Sequence, residues 1–229
     1  MAEFDEQDGK PARSVPPLHM ALAGDSTVFE YPPESPMRGW GQVLAEYLPA
    51  HIVLTNGAVC GASTRTFPVE KWNSLLALRS ACVLIQFGHN DSHAKENPES
   101  TDPATDYPEN LRRYVREART AGVMPILVTP VRRRTYLDSG HVTEELAPYA
   151  RAMIAVAGEL DVPLIDLHAA SGALYEELGE SGTEAFTVNK TDTADRPGLG
   201  DRTHFTAAGA RAIARLIAPR LLKIVIPAS

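Results

Sequence analysis

The chain has 229 residues, of which 44% are apolar and 22% charged, and this suits a single α/β domain that buries a large core. Its 22 Lys and Arg residues against 29 Asp and Glu residues give a net charge of -7, which excludes a general attraction to nucleic acid or to an anionic membrane. Any anionic substrate therefore needs a local basic patch.

The amino-terminal segment and the two cysteines bear on domain boundaries and location. Residues 1–17 are polar and contain prolines, so we expect a disordered segment ahead of one domain at residues 18–229. Because this segment has no apolar signal-peptide core and no apolar run could cross a bilayer, we expect a cytoplasmic protein, or a secreted one if a signal peptide was removed. Cys60 and Cys82 cannot form the disulfide framework of a small secreted domain, and both are predicted to be buried free thiols. The composition selects no oligomeric state.

Short apolar runs alternate with helical patterns along the chain. Five of these runs have the length of buried strands: Leu18–Ala23, Ile52–Thr55, Cys82–Phe87, Met124–Thr129 and Pro163–Leu167. Between them, four segments with apolar residues at i, i+3 and i+4 are predicted to be crossover helices: Trp40–Leu48, Phe67–Leu78, Pro108–Ala121 and Glu144–Leu160. Right-handed connections then give an α/β, three-layer α/β/α sandwich with a five-stranded parallel sheet, whose site lies at the carboxyl ends of the strands.

The carboxy-terminal part is predicted to hold a loop followed by a last helix. Residues 181–200 form a long irregular segment that can act as a lid or a substrate wall. The last helix runs from about Thr206 to Leu222, with Thr206 as its N-cap.

Three short motifs directly follow predicted strands. Gly24-Asp25-Ser26-Thr27 presents the Ser26 hydroxyl at the start of a helical turn, near backbone N–H donors. The small residues of the segment 56–61 let a backbone N–H point towards a ligand. Gly88-His89-Asn90-Asp91 places the Asn90 amide where it can donate to a developing oxyanion. Taken alone, the Gly-Asp-Ser triplet is more often just a turn, and the other two motifs are also compatible with ordinary glycine or Asx turns.

A fourth motif, Asp201-Arg202-Thr203-His204, stands just ahead of the last helix. The spacing of three lets one tight turn bring the Asp201 carboxylate to Nδ1 of His204, which leaves Nε2 for Ser26. A serine hydroxyl is a poor nucleophile at neutral pH, and a histidine can take its proton during attack while a carboxylate fixes the tautomer. The four motifs together predict a serine esterase with Ser26 as nucleophile, His204 as base and Asp201 as the group that orients the base.

With these motifs in order, the sequence from residue 18 to about 222 resembles the GDSL/SGNH hydrolases. The four residues for which that superfamily is named correspond here to Ser26, Gly61, Asn90 and His204. The resemblance implies the SGNH/flavodoxin-like version of the sandwich. It also implies an oxyanion hole built from the N–H groups of Ser26 and Gly61 and the side chain of Asn90, in a reaction that uses no metal.

Within the superfamily the chain is most similar to the rhamnogalacturonan acetylesterases. The motifs that carry this likeness are Gly39-Trp40-Gly41, Asn56-Gly57-Ala58-Val59, Phe87-Gly88-His89-Asn90-Asp91 and Thr129-Pro130-Val131. The resemblance implies removal of acetyl groups from a carbohydrate of the pectin or rhamnogalacturonan type. Because no dinucleotide-binding or phosphate-binding loop is present, no cofactor is expected.

A run of three arginines, residues 132–134, follows the fourth predicted strand near the active edge. Arginine forks bind carboxylates, so Arg133 and Arg134 are candidate substrate-binding residues for a uronate, with His89 as a third candidate. A solvated loop is the alternative for such a charge run. His89, Asp91 and His93 lack helical zinc-protease spacing, so no metal site is predicted.

Two alternatives remain open at the level of function. A lipase, thioesterase or acyltransferase of the same type would act on another acyl ester, and a non-catalytic carbohydrate-binding domain would retain the fold without the reaction. The intact set of Ser26, Asp201 and His204 favours an enzyme, because a binding module has no need of that proton relay.

Overall fold

The structure of the protein is a computed structural model that describes residues 16–188 and 200–226. Its strands are β1 (Leu18–Gly24), β2 (Ile52–Asn56), β3 (Cys82–Gln86), β4 (Met124–Val128) and β5 (Leu164–Ile165). Its α-helices are α1 (Trp40–Val43), α2 (Val69–Ala77), α3 (Asp106–Thr120), α4 (Ala147–Leu160), α5 (Leu167–Thr183) and α6 (Ala207–Val225). Short 3-10 helices follow α1 at Leu44–Tyr47 and α5 at Glu184–Phe186.

The sheet has the order β2-β1-β3-β4-β5, and all of its pairs are parallel. Alternate strand residues face opposite cores, because side chains alternate across a strand. Met20, Leu22 and Leu84 pack with α1, α5 and α6, whereas Val83 and Ile85 pack with α2, α3 and α4. The predicted three-layer sandwich with a five-stranded parallel sheet is therefore confirmed, and every strand ends at the same edge.

Helix α5 was not predicted from the sequence. The fifth predicted strand, Pro163–Leu167, is reduced to the two residues of β5, because the Asp166 carboxylate accepts a hydrogen bond from Ala169 N and begins α5 at Leu167. The helix continues to Thr183 and a 3-10 helix follows, so the prediction of an irregular segment from residue 181 is wrong for its first six residues. Residues 189–199 of the predicted lid, and residues 1–15 of the predicted disordered segment, lie outside the described residues.

The last helix confirms its predicted start. The Thr206 hydroxyl accepts a hydrogen bond from Gly209 N, so Thr206 is the N-cap of α6.

No helix within residues 16–188 and 200–226 combines the length and the hydropathy needed to cross a bilayer.

The two cysteines differ in their surroundings. Cys82 lies in β3 and is a buried free thiol, as predicted. The prediction that Cys60 is buried is wrong, because it lies on the loop after β2, where its thiol is exposed and contacts the Tyr31 hydroxyl at 3.8 Å.

Candidate active site

The turn after β1 determines where Ser26 lies. The carbonyl of Asp25 accepts hydrogen bonds from Val28 N and Phe29 N, both at 3.1 Å, which winds residues 25–29 into a helical turn. The Asp25 carboxylate accepts hydrogen bonds from both the backbone N–H and the hydroxyl of Thr27, at 2.9 and 2.7 Å. This turn holds Ser26 at the carboxyl end of β1, where its side chain reaches the cleft described below.

The Gly39-Trp40-Gly41 motif supports this turn from behind. Trp40 N donates to the carbonyl of Thr27 at 2.8 Å, and its indole N–H donates to Oε1 of Gln86 at 2.7 Å. At Gly39 an added Cβ would lie 2.3 Å from the carbonyl oxygen of Phe29, so only glycine permits this approach. Sequence reasoning missed Gln86, although a buried amide at the end of an otherwise apolar strand is a signal that could have found it.

His204 and Asp201 form a hydrogen-bonded chain with Ser26. Nε2 of His204 lies 2.9 Å from Oγ of Ser26, and Nδ1 lies 2.8 Å from Oδ2 of Asp201. Oδ1 of Asp201 accepts the backbone N–H groups of Thr203 and His204, both at 2.9 Å. Burial alone would raise the pKa of Asp201, but the hydrogen bond and charge of His204, with the two backbone N–H donors, outweigh it and hold this pKa well below its usual range.

The predicted oxyanion donors, Ser26, Gly61 and Asn90, lie on the loops after β1, β2 and β3, and hydrogen bonds connect these three loops. The loop after β2 is attached to the end of β1 through a hydrogen bond from Val59 N to the carbonyl of Gly24, at 2.9 Å. Nδ2 of Asn90 donates to the carbonyl of Ala62 at 2.8 Å, which uses one of its two hydrogens and fixes the amide plane. Gly61 is in the left-handed region with φ of 74°, which a residue with a side chain adopts only with strain.

His89 lies in the wall of the cleft and is almost completely buried. Its Nδ1 is 3.3 Å from Oδ2 of Asp25, while burial lowers its pKa against the opposing effect of that carboxylate, so the neutral imidazole is favoured. The neighbouring polar residues have other partners. The Asp91 carboxylate accepts hydrogen bonds from the backbone N–H and the hydroxyl of Thr64. Nδ1 of His93 lies 2.6 Å from Oε1 of Glu99. His89, Asp91 and His93 therefore do not converge on one point.

A cleft of about 560 Å³ opens over Ser26. Apart from Ala94 and Gly200, the residues that line it have polar side chains. They are Ser26, His89, Asn90, Ser92, His93, Asn97, Arg133, Asp201, Arg202, Thr203 and His204. The structure thus brings the predicted nucleophile, base, orienting carboxylate and amide donor into one site.

Of the two arginines predicted to contact substrate, only Arg133 lines the cleft. Its guanidinium forms an ion pair with Glu145 at 2.9 Å and donates to the carbonyl of His89 at 3.3 Å. The Arg134 side chain has no exposed surface and does not line the cleft, so the prediction that it binds substrate is wrong. The guanidinium of Arg134 instead faces the backbone of residues 201–204, where it donates to the carbonyls of Asp201 and His204.

Comparison with known proteins places this geometry in a family. The profile of the GDSL-like lipase/acylhydrolase family matches residues 22–212, a span that includes both Ser26 and His204. The chain belongs to this family. As a GDSL-like acylhydrolase it is a carboxylic ester hydrolase, and the resemblance inferred from the motifs is confirmed.

Curated relatives of this GDSL-like acylhydrolase come from Bacillus subtilis (strain 168). The chain is 37% identical over 218 residues to rhamnogalacturonan acetylesterase RhgT, covering 92% of each protein. It is 36% identical over 214 residues to the probable rhamnogalacturonan acetylesterase YesY, covering 91% of this chain and 94% of YesY.

Solved structures show the same fold. Protein YxiM of Bacillus subtilis superposes with a TM-score of 0.76 at 28% identity, over 93% of this chain and 58% of that one. The acetylxylan esterase Axe2 of Geobacillus stearothermophilus, in a catalytic mutant, superposes with a TM-score of 0.69 over 90% of this chain and 95% of that one. At 18% identity, the likeness to Axe2 concerns the fold alone.

Proposed function

We propose that this protein is a serine esterase that removes acetyl groups from a carbohydrate, and that the carbohydrate is of the rhamnogalacturonan type. The observation that carries the proposal is the continuous chain of hydrogen bonds from Asp201 through His204 to the Ser26 hydroxyl, at 2.8 and 2.9 Å, within a polar cleft. A nucleophile, a base within reach of its proton and a group that orients the base make up an acyl-transfer relay.

In the first half of the reaction, Ser26 Oγ attacks the acetyl carbonyl while Nε2 of His204 takes the hydroxyl proton. The ionised Asp201 holds the proton of His204 on Nδ1 and stabilises the imidazolium. The negative oxygen of the tetrahedral intermediate is stabilised by the backbone N–H groups of Ser26 and Gly61 and by the second N–H of Asn90, because the first is bound to the carbonyl of Ala62. His204 then gives its proton to the sugar oxygen, which leaves.

The second half of the reaction regenerates the enzyme. A water molecule enters the cleft and gives its proton to the neutral Nε2 of His204 as it attacks the acetyl-serine carbonyl. Collapse of the second tetrahedral intermediate returns the proton to Ser26 Oγ and releases acetic acid, which ionises to acetate in water. The same donors serve both intermediates, since each oxyanion forms on the acetyl carbonyl oxygen.

Two observations support a carbohydrate bearing a carboxylate as the substrate. The cleft walls offer mostly hydrogen-bonding groups, which suit a sugar better than an alkyl chain. Arg133 lies at the wall next to His89 and Ser92, paired with Glu145, and its guanidinium is the group we assign to the carboxylate of a uronate. The identity of 36–37% with two proteins named as rhamnogalacturonan acetylesterases, one of them as probable, supports the same class.

The first test compares hydrolysis of p-nitrophenyl acetate by the wild type and by Ser26→Ala, with Ser74→Ala as a matched control. Ser74 is exposed on α2, and its hydroxyl contacts only the helix backbone at Glu70 in the described structure. We expect Ser26→Ala to abolish turnover while circular dichroism shows a folded protein, and Ser74→Ala to match the wild type. Equal rates for Ser26→Ala and wild type would remove Ser26 from the mechanism.

The second test addresses the substrate. Acetate release is measured from acetylated rhamnogalacturonan and acetylated xylan fragments, and p-nitrophenyl esters from acetate to octanoate report the acyl preference. We expect preference for acetate and for the uronate-containing polymer, and Arg133→Gln should raise KM for that polymer more than for p-nitrophenyl acetate. Octanoate preference would favour the lipase alternative, and binding without turnover of any ester would favour the carbohydrate-binding domain.

A further inference from the structure

Arg134 lies directly behind the segment that carries Asp201 and His204. Its Nη2 donates to the carbonyl of His204 at 2.6 Å and to the carbonyl of Asp201 at 3.3 Å. Its backbone N–H donates to the carbonyl of Arg202 at 2.9 Å. One residue thus supplies donors to three carbonyls within a stretch of four residues.

This stretch needs such donors because it lacks regular secondary structure. Residues 200–204 precede α6 without entering a helix or strand, so their carbonyl oxygens have no ladder partners. The Arg134 guanidinium also packs over the ring of Phe205, with 4.9 Å between Cζ and the ring centroid. The segment is therefore fixed by hydrogen bonds to its backbone and by packing at its end.

The burial of this guanidinium is costly. Arg134 has no exposed surface, and burial lowers its pKa although the phenol of Tyr175 and the carboxylate of Asp201 oppose that effect. No ion pair involves Arg134 within the described ranges 16–188 and 200–226. An apolar side chain at this position would fill the space without the desolvation penalty, so packing alone does not account for an arginine.

We infer that Arg134 is a positioning residue for the esterase reaction, which binds the backbone of the Asp201–His204 turn and keeps the imidazole of His204 in reach of Ser26. This inference rests on the proposed function, because it assigns a role in the Ser26 relay. Arg134 binds this turn without lining the cleft, in contrast to Arg133 on the cleft wall. A displacement of about 1 Å of a reacting group costs about 10²-fold in rate, so losing the Arg134 hydrogen bonds should slow the reaction without weakening substrate binding.

The experiment compares Arg134→Met and Arg134→Lys with Arg151→Met, a matched control at an exposed position of α4. For p-nitrophenyl acetate, with rates corrected for the folded fraction, we expect kcat of Arg134→Met to fall about 10- to 100-fold with KM changed less than threefold. Arg134→Lys should lie between Arg134→Met and wild type, because an ammonium keeps the charge and one donor group but loses the planar fork. Arg151→Met should match the wild type.

A second readout is independent of turnover. In proton NMR, the Nδ1 proton of His204, identified by its loss in His204→Gln, should be shifted or broadened in Arg134→Met but unchanged in Arg151→Met. Unchanged kcat together with an unchanged His204 signal would overturn the inference, as would reduced thermal stability with kcat intact. If Arg134→Met does not fold, Arg134→Lys decides: wild-type kcat overturns the inference and a reduced kcat at constant KM supports it. Failure of the proposed function is separate, because it would appear as full activity of Ser26→Ala.

Discussion

Replacing Asp201 with asparagine tests the hydrogen-bonded chain at its most sensitive point. Oδ1 of Asp201 accepts two backbone N–H groups, from Thr203 and His204, and Oδ2 faces Nδ1 of His204. In the Asp201→Asn side chain, the amide oxygen should take the position of Oδ1 and accept the two backbone hydrogen bonds. The opposite orientation would place the NH₂ group there, and both hydrogen bonds would be lost. In the first orientation the NH₂ group is directed at Nδ1 and forces the proton of His204 onto Nε2.

With its proton on Nε2, His204 donates to Ser26 and cannot accept the hydroxyl proton. The same change of tautomer in serine proteases lowers kcat about 10⁴-fold, which corresponds to about 5.5 kcal/mol of activation free energy. We expect a loss of this size in Asp201→Asn. The fold should persist, because the two backbone hydrogen bonds to Oδ1 are retained.

The assay is hydrolysis of p-nitrophenyl acetate at pH 7–8, with circular dichroism to verify folding. Asp138→Asn is the control, because it makes the same chemical change on an exposed loop outside the cleft. We expect Asp138→Asn to match the wild type. A folded Asp201→Asn protein that keeps kcat within tenfold of the wild type would refute the tautomer reasoning.

Three further predictions concern the oxyanion donor, a buried carboxylate and the tryptophan motif. Asn90→Ala should stay folded and lose about 10²–10³-fold in kcat for p-nitrophenyl acetate, and unchanged turnover would remove Asn90 from the mechanism. Burial raises the pKa of the Asp91 carboxyl to about 6, although hydrogen bonds from Thr64 oppose this effect. The folded protein therefore holds the Asp91 proton more tightly than the unfolded chain does. The stability that this proton contributes is complete below the unfolded pKa and is lost as the pH rises through 6. In urea unfolding, the stability of wild type relative to Asp91→Asn should therefore fall from pH 4 to pH 7, and a constant or rising difference would contradict this. Gly39→Ala should lower the free energy of unfolding by about 1–3 kcal/mol, since the new methyl overlaps the backbone of Phe29, and an unchanged melting temperature would disprove that overlap.

Local patterns in the sequence were sufficient for most of the fold and for the relay. The spacing of apolar residues predicted all five strands and five of the six α-helices, because strands and helices repeat their apolar positions with different periods. The Asp201–His204 contact could be predicted because both groups lie in one turn. The strand-edge rule places Ser26 at the active edge, but no strand of the described residues leads into residues 201–204, so the approach of His204 to Ser26, 178 positions apart, was implied by the resemblance to the GDSL/SGNH hydrolases.

Other features depend on contacts between distant segments, which no local pattern encodes. The arginine run gave no indication that Arg133 lines the cleft while Arg134 is buried, because that choice depends on the carbonyls of residues 201–204. Helix α5 was missed because its apolar repeat is weak and its start depends on the Asp166 cap. The partner of the Gly39-Trp40-Gly41 motif, Gln86, comes from another strand. The sequence alone thus determined the elements and the chemistry of the relay, whereas tertiary structure decided which polar groups face the cleft and which support it, because burial and hydrogen-bond partners are set by long-range packing.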